Sequence, residues 1–179
     1  IFERKDAREP RPRREAHEIV LFGCNRIGYD FVEALLRSSA KFLVVDYDPL
    51  TIAKLEKAEV ACAFGDAGDL NFLESIDFSK AKLVVSTIPD PKVNALIRHV
   101  TRETNPNATV IVVAHRIQDA LDHYDDGIDY VILPHFLGAK HAADLVVKFK
   151  DNPAHYERLR DEHIEHLRLR AAIGHDQTG

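Results

Sequence analysis

Six consecutive residues, Gly23-Cys24-Asn25-Arg26-Ile27-Gly28, have the types and spacing to hold a phosphate. They follow a G-x-G-x-x-G pattern with Asn25 in the place of the middle glycine. In such a loop the first glycine makes a tight turn and the last lets a helix approach a strand. Backbone N–H groups at the helix N-terminus then face the anion. Asn25 adds a side chain where a pyrophosphate would approach, although Asn tolerates positive φ better than most residues. Asp46 lies 23 residues after Gly23, near the roughly 20-residue interval expected of a carboxylate that accepts ribose hydroxyls. Tyr47 and Asp48 follow it, and no Arg stands beside it to pair a 2′-phosphate, which favours NAD or an adenine mononucleotide over NADP. A third element, Gly65-Asp66-Ala67, directly follows a later apolar run.

Other reactive residues are weaker candidates. Cys24, at a helix N-terminus, has two readings: a thiol of lowered pKa, or a small residue in a phosphate loop. Cys62 falls in an apolar run and reads as core. His163 and His166 lie three apart with Glu162 and Glu165, but two ligands do not make a metal site, and a solvated helix surface suits them better. His135 and His141 read as surface or interface residues, and no metal is expected.

The elements that must position these residues are legible as a repeat. Short apolar runs at Ile19 to Phe22, Phe42 to Val45, Val60 to Phe64, Leu83 to Val85, Val110 to Ala114 and Tyr130 to Leu133 start 18 to 27 residues apart. That interval holds one strand, one crossover helix and two loops. The runs are continuous rather than alternating, as strands covered on both faces are. Asp48-Pro49 and Asp90-Pro91 each place an N-cap acceptor before a proline at the first helical position. Further helices are expected near 26 to 38, 69 to 76, 92 to 104 and 117 to 124. The fold class is therefore α/β, a Rossmann-like doubly wound six-stranded parallel sheet. A C-terminal helical extension follows: an amphipathic helix from Phe136 to Lys150, then a charged helix from Asn152-Pro153 to about Ile173. The narrow apolar face of the last helix suits either docking or a protruding connector.

Composition narrows the function classes. The chain has 179 residues, is 45% hydrophobic and 30% charged, and carries a formal net charge of −5. That is enough apolar content for a core, and the acidic balance gives no general reason to bind nucleic acid. Two cysteines suit a reducing compartment. The longest unbroken apolar runs, Val60 to Phe64 and Val110 to Ala114, are far short of the roughly 20 residues of a membrane-spanning helix. Residues 1–16, basic and proline-containing, read as a linker, and a chain that opens on Ile1 reads as a piece of something longer.

Taken together, the glycine loop with Arg26, Asp46, Gly65-Asp66-Ala67, Thr87-Ile88-Pro89-Asp90 and Ala114-His115-Arg116 resemble the nucleotide-binding regulatory domains of potassium transport and efflux systems. These are the RCK or KTN domains, especially those of Kef-type cation/proton antiporters. The resemblance covers about residues 17–150. It implies that Gly23, Asn25, Arg26, Ile27 and Gly28 hold phosphate, that Asp46 with Tyr47 beside it takes the ribose, and that Asp66 and Ala67 line the adenine. Thr87 and Ile88 would line the far half of the cleft, and Arg116 would face the cleft or a second ligand. The ligand would be an adenine nucleotide: AMP, ATP or NAD/NADH. The resemblance further implies a non-enzymatic sensor, a homodimer paired through the helix after the sixth strand, and a transmembrane antiporter domain of the same polypeptide. Residues 1–16 would be the linker from that domain and residues 151–179 a helical tail, with the whole at the cytoplasmic face of the cell membrane.

Two other readings compete. A peripheral Trk-type subunit often carries a further ligand-binding domain that this chain does not show. An NAD-dependent oxidoreductase needs a second-substrate site and a proton-transfer group, and only about 45 residues follow the sixth strand.

Overall fold

The computed structural model describes residues 16–172. The proposed linker lies almost wholly outside the described residues, as does the end of the tail. Six strands, β1 (Ile19–Phe22), β2 (Phe42–Asp46), β3 (Cys62–Phe64), β4 (Leu83–Ser86), β5 (Thr109–Val113) and β6 (Tyr130–Ile132), alternate with five helices. These are α1 (Arg26–Leu36), α2 (Pro49–Lys57), α3 (Leu70–Glu74), α4 (Pro91–Thr104) and α5 (Ile117–Asp125). Two more helices, α6 (Pro134–Phe149) and α7 (Pro153–Ala172), follow β6.

The strand order is β3-β2-β1-β4-β5-β6, and every pairing is parallel. The chain winds outward from β1 to β3 and then returns to place β4 on the other side of β1. The point where winding reverses leaves a crevice outside the carboxyl ends of β1 and β4, because their following segments diverge to opposite faces.

Period-two alternation divides each strand between two cores. Val20, Phe22, Val84 and Val110 pack with Leu73, Ile97, Val100 and Ala120 on one face. On the other face, Leu21, Val44 and Val85 meet Val32 of α1 and Ile52 and Leu55 of α2. Truncating a fully buried ring such as Phe22 to Ala would cost about 3–5 kcal/mol.

The proline-marked helix starts hold. Asp48 accepts from the N–H groups of Leu50 and Thr51, and Asp90 accepts from those of Lys92 and Val93. α2 ends with Glu59 at φ 58°, a left-handed position usually given to glycine. The final helices differ from the rest, since neither α6 nor α7 contains a buried residue. α6 begins at Pro134, two residues before the sequence expectation, again with a proline in its first turn. The far end of α7 meets α1, where Arg170 bonds Asp30.

Candidate functional site

At the carboxyl ends of β1 to β4 lies a cleft of about 690 Å³, within the range of pockets that take small ligands. Its walls come from four strand ends. Gly23, Cys24 and Asn25 follow β1, Asp46 ends β2 with Tyr47 to Pro49 after it, Gly65 to Ala67 follow β3, and Thr87 to Pro89 close the cleft from β4.

The β1 turn depends on two glycines. Gly23 has φ 83°, where a side chain is strained. A Cβ on Gly28 would stand 2.1 Å from the Gly23 carbonyl oxygen, so only glycine lets α1 begin this close to β1. The Thr87 hydroxyl donates to the Gly23 carbonyl at 3.1 Å and ties the β4 turn to the β1 turn.

Asn25 is not in the left-handed region for which its tolerance of positive φ would matter. Its φ is −80°, and it is the N-cap of α1, where its side-chain oxygen accepts the Arg26 N–H at 2.9 Å. The middle-glycine position is thus served by a capping residue. The N–H groups of Ile27 and Gly28, in the first turn, have no intrahelical acceptor.

Asp46 is anchored between two turns of the cleft. One carboxylate oxygen accepts from the Cys24 N–H at 2.7 Å and the other from the Asp48 N–H at 2.8 Å. The carboxylate is oriented by the same loops it would serve, and each oxygen retains a lone pair. Asp48 is occupied as the α2 cap, accepting also from the Thr51 hydroxyl at 2.6 Å; that bond, with the cap N–H bonds, holds its carboxyl below the usual range. Asp66 accepts from the Gly68 N–H at 2.8 Å. Gly65 packs on the Phe72 ring, which its Cβ would strike at 2.0 Å.

Cys24 does not have a lowered pKa. Burial, with the Asp46 carboxylate beside it, pushes its thiol up to about 11, so the helix N-terminus does not make it a thiolate. Cys62 is half-buried rather than full core, and burial raises its thiol as well.

Of the residues singled out in the sequence, Gly23, Asn25, Asp46, Tyr47, Asp66, Ala67, Thr87 and Ile88 line the cleft together. Gly28 lies buried beneath it. Arg26 and Ile27 belong to the first turn of α1 rather than to the cleft wall, and Arg26 is exposed. Arg116 is exposed at the N-cap of α5, outside the lining. Among the described residues, no group of three or more His, Cys, Asp or Glu could hold a metal, and no helix is long and apolar enough to cross a membrane.

The model of the TrkA-N domain matches residues 19–134, from the first residue of β1 to the first of α6. The chain belongs to the TrkA-N domain family. Among curated proteins, this TrkA-N domain is 30% identical over 131 residues to the glutathione-regulated potassium-efflux system protein KefC of Escherichia coli. The match takes 69% of this chain and 20% of the relative, so the chain spans about a fifth of that protein's length.

Solved structures share the fold. The TrkA-N domain of the inner membrane protein ybaL from Escherichia coli aligns with TM-score 0.67 and 22% identity, over 74% of this chain and 98% of that one. The Kef C-terminal domain of Shewanella denitrificans in its AMP-bound form aligns with TM-score 0.61 and 20% identity, over 87% and 98%. The GsuK channel bound to NAD aligns with TM-score 0.59 and 19% identity, over 69% and 22%.

The TrkA-N cleft also includes residues that motif reading did not single out as ligand contacts: Pro49, Thr51, Pro89 and Val93. Pro49 and Pro89 adjoin motifs already noted. Thr51 and Val93, each in the first turn of a helix, gave no separate signal.

Proposed function

We propose that this domain is a cytosolic nucleotide sensor of a potassium (or sodium)/proton antiporter, binding AMP, ATP or NAD(H) in the cleft at the carboxyl edge of the sheet. The observation that carries the reading is Asp46, whose two oxygens are held by N–H groups of the β1 and β2 turns at 2.7 and 2.8 Å. A pre-oriented carboxylate beside a capped helix N-terminus suits a ribose next to a phosphate. In this arrangement Gly23, Asn25, Ile27 and Gly28 supply the phosphate loop, and Arg26 reaches the phosphate from the first turn of α1. Asp66 and Ala67 border the adenine with Tyr47 at the rim, Ile88 and Thr87 border the far half, and Arg116 serves a more distant part of the ligand or a second one.

A binding role rather than catalysis is supported by the Cys24 thiol of the lining, which burial and the Asp46 carboxylate keep protonated. The relatives support a place beside a membrane transporter: one is a potassium-efflux protein and another an inner membrane protein. Residues 17–150 would form the sensing domain, 1–16 the link to a transmembrane part, and 151–179 a helical tail. α6 exposes Phe136, Leu137, Val146 and Val147, which supports homodimer formation through that helix. Nucleotide would then shift a conformational equilibrium by preferring one arrangement, which needs no more than about 1–3 kcal/mol of coupling.

Calorimetric titration with AMP, ATP, NAD and NADH tests the reading. Saturable heat from at least one is expected, and none from any would sink it. A monomer in sedimentation at high concentration with nucleotide present would remove the dimer.

A further inference from the structure

The phosphate loop is held from behind by the far end of the chain. α7 follows α6 through a short turn. At that turn the Asn152 N–H donates to the Phe149 carbonyl at 3.0 Å, the rings of Phe149 and His155 stack at 3.4 Å, and the Tyr156 hydroxyl donates to the Leu145 carbonyl at 3.2 Å. α6, of 16 residues, is about 24 Å long. The stretch of α7 from Pro153 to Arg170 is about 26 Å. α6 leaves from the carboxyl end of β6, and the end of α7 meets α1 through Arg170.

Arg170 makes three contacts there. Its guanidinium bonds the Asp30 carboxylate, donates to the Arg26 carbonyl at 3.1 Å, and lies 6.0 Å from the centre of the Tyr29 ring. Arg26, Tyr29 and Asp30 are all within the first five residues of α1, whose N-terminus is the phosphate loop. The side chain of Arg170 is only 21% exposed against 51% for Asp30, so the guanidinium is seated rather than dangling.

We propose that Arg170 is a positioning residue for the phosphate loop, and that the end of α7 is a clasp whose docking favours a bound phosphate; this rests on the nucleotide reading above. Two effects act in the same direction. The bond to the Arg26 carbonyl fixes the first turn, which presents the free N–H groups. Pairing Asp30 also removes an uncompensated negative charge one turn from the anion site. Linkage is reciprocal, so an occupied loop tightens the clasp. The sensor thereby gains an outlet at its C-terminal helix.

The test compares the full chain with Arg170→Ala, Asp30→Ala and the double variant, reading AMP affinity by calorimetry and amide exchange of residues 26–30 by mass spectrometry. For a half-exposed pair, Arg170→Ala is expected to weaken AMP by about two- to fivefold and to speed exchange in the first turn of α1. The double variant should recover part of that loss, because it no longer leaves Asp30 unpaired; a merely structural loss of Arg170 packing would not be recovered. Unchanged AMP affinity in Arg170→Ala, or a double variant that binds no tighter than Arg170→Ala, overturns the proposal. If the wild-type chain takes none of AMP, ATP, NAD and NADH, the nucleotide reading fails instead; if it takes one other than AMP, that nucleotide replaces AMP in the comparison. Where none binds, exchange still judges the clasp, and identical exchange with and without Arg170 overturns it.

Discussion

Replacing two glycines by alanine, one at a time, should move stability in opposite directions. At Gly28 the new Cβ would stand 2.1 Å from the carbonyl oxygen of Gly23 and 2.8 Å from its carbonyl carbon. An ordinary carbon–oxygen contact is about 3.4 Å, so helix and strand must separate by roughly 1.3 Å. Gly23 is poorly placed to yield: its N–H donates to the Val45 carbonyl at 2.8 Å, its carbonyl receives Thr87, and its φ is 83°. Overpacking of this kind costs about 1–3 kcal/mol, offset by up to about 1 kcal/mol from the better helix propensity of alanine. The net loss expected is about 1–2 kcal/mol, or some 3–8 °C in melting temperature for a chain of this size.

Gly138 lies inside α6 with nothing within 4 Å of its Cβ position. There only the propensity gain operates, so Gly138→Ala should add about 0.5–1 kcal/mol. Urea unfolding at 25 °C measures both changes, and AMP titration of Gly28→Ala should show weaker binding as α1 moves. A Gly28→Ala variant as stable as the wild type would refute the close approach of α1 to β1, and with it the geometry assigned to the phosphate loop.

Other substitutions probe single contacts. Asp46→Ala should weaken adenosine as well as AMP and lower the urea midpoint, because the N–H groups of Cys24 and Asp48 lose their acceptor; adenosine binding unchanged in calorimetry would show the ribose is elsewhere. Arg26→Ala should weaken AMP by about tenfold or less and leave adenosine alone, a contrast read by paired titrations. Cys24, with its thiol at about 11, should be alkylated by iodoacetamide at pH 8 far more slowly than a free thiol. Its folded pKa lies above the reference value of 9.0, so this group's contribution to stability is complete below about pH 9 and is lost as pH rises toward 11. Glu59→Gly should raise the urea midpoint by relieving a left-handed residue at φ 58°, a gain of about 1 kcal/mol.

Strands and helix starts were legible because local chemistry alone decides them. Continuous runs such as Val20-Leu21-Phe22 admit a strand buried on both faces, and Asp48-Pro49 and Asp90-Pro91 cap and pre-set a helix without tertiary help. The places of Asp46 and Asp66 in the cleft were legible, Asp46 from its 23-residue interval after Gly23 and Asp66 from following an apolar run. The role of Asn25 was not, because N-cap and left-handed conformations both favour Asn and only backbone geometry separates them. The state of the Cys24 thiol was left between two readings for a similar reason. A helix N-terminus is visible in sequence, whereas burial and the Asp46 carboxylate next to the thiol depend on packing. Arg170 was invisible as a functional candidate, since 140 residues separate it from Asp30 and one Arg on a charged helix looks like any other.

The bonding of Asp46 bears on how a signal can leave this domain. In the proposed sensor, a carboxylate already locked by two main-chain donors would be set in place before any ligand arrives, so occupancy would ask little rearrangement of the sheet edge. The rim would then act as a fixed gauge. What registers a reading would be an element held by few contacts, and the end of α7, pinned to α1 through Arg170, is such a pointer.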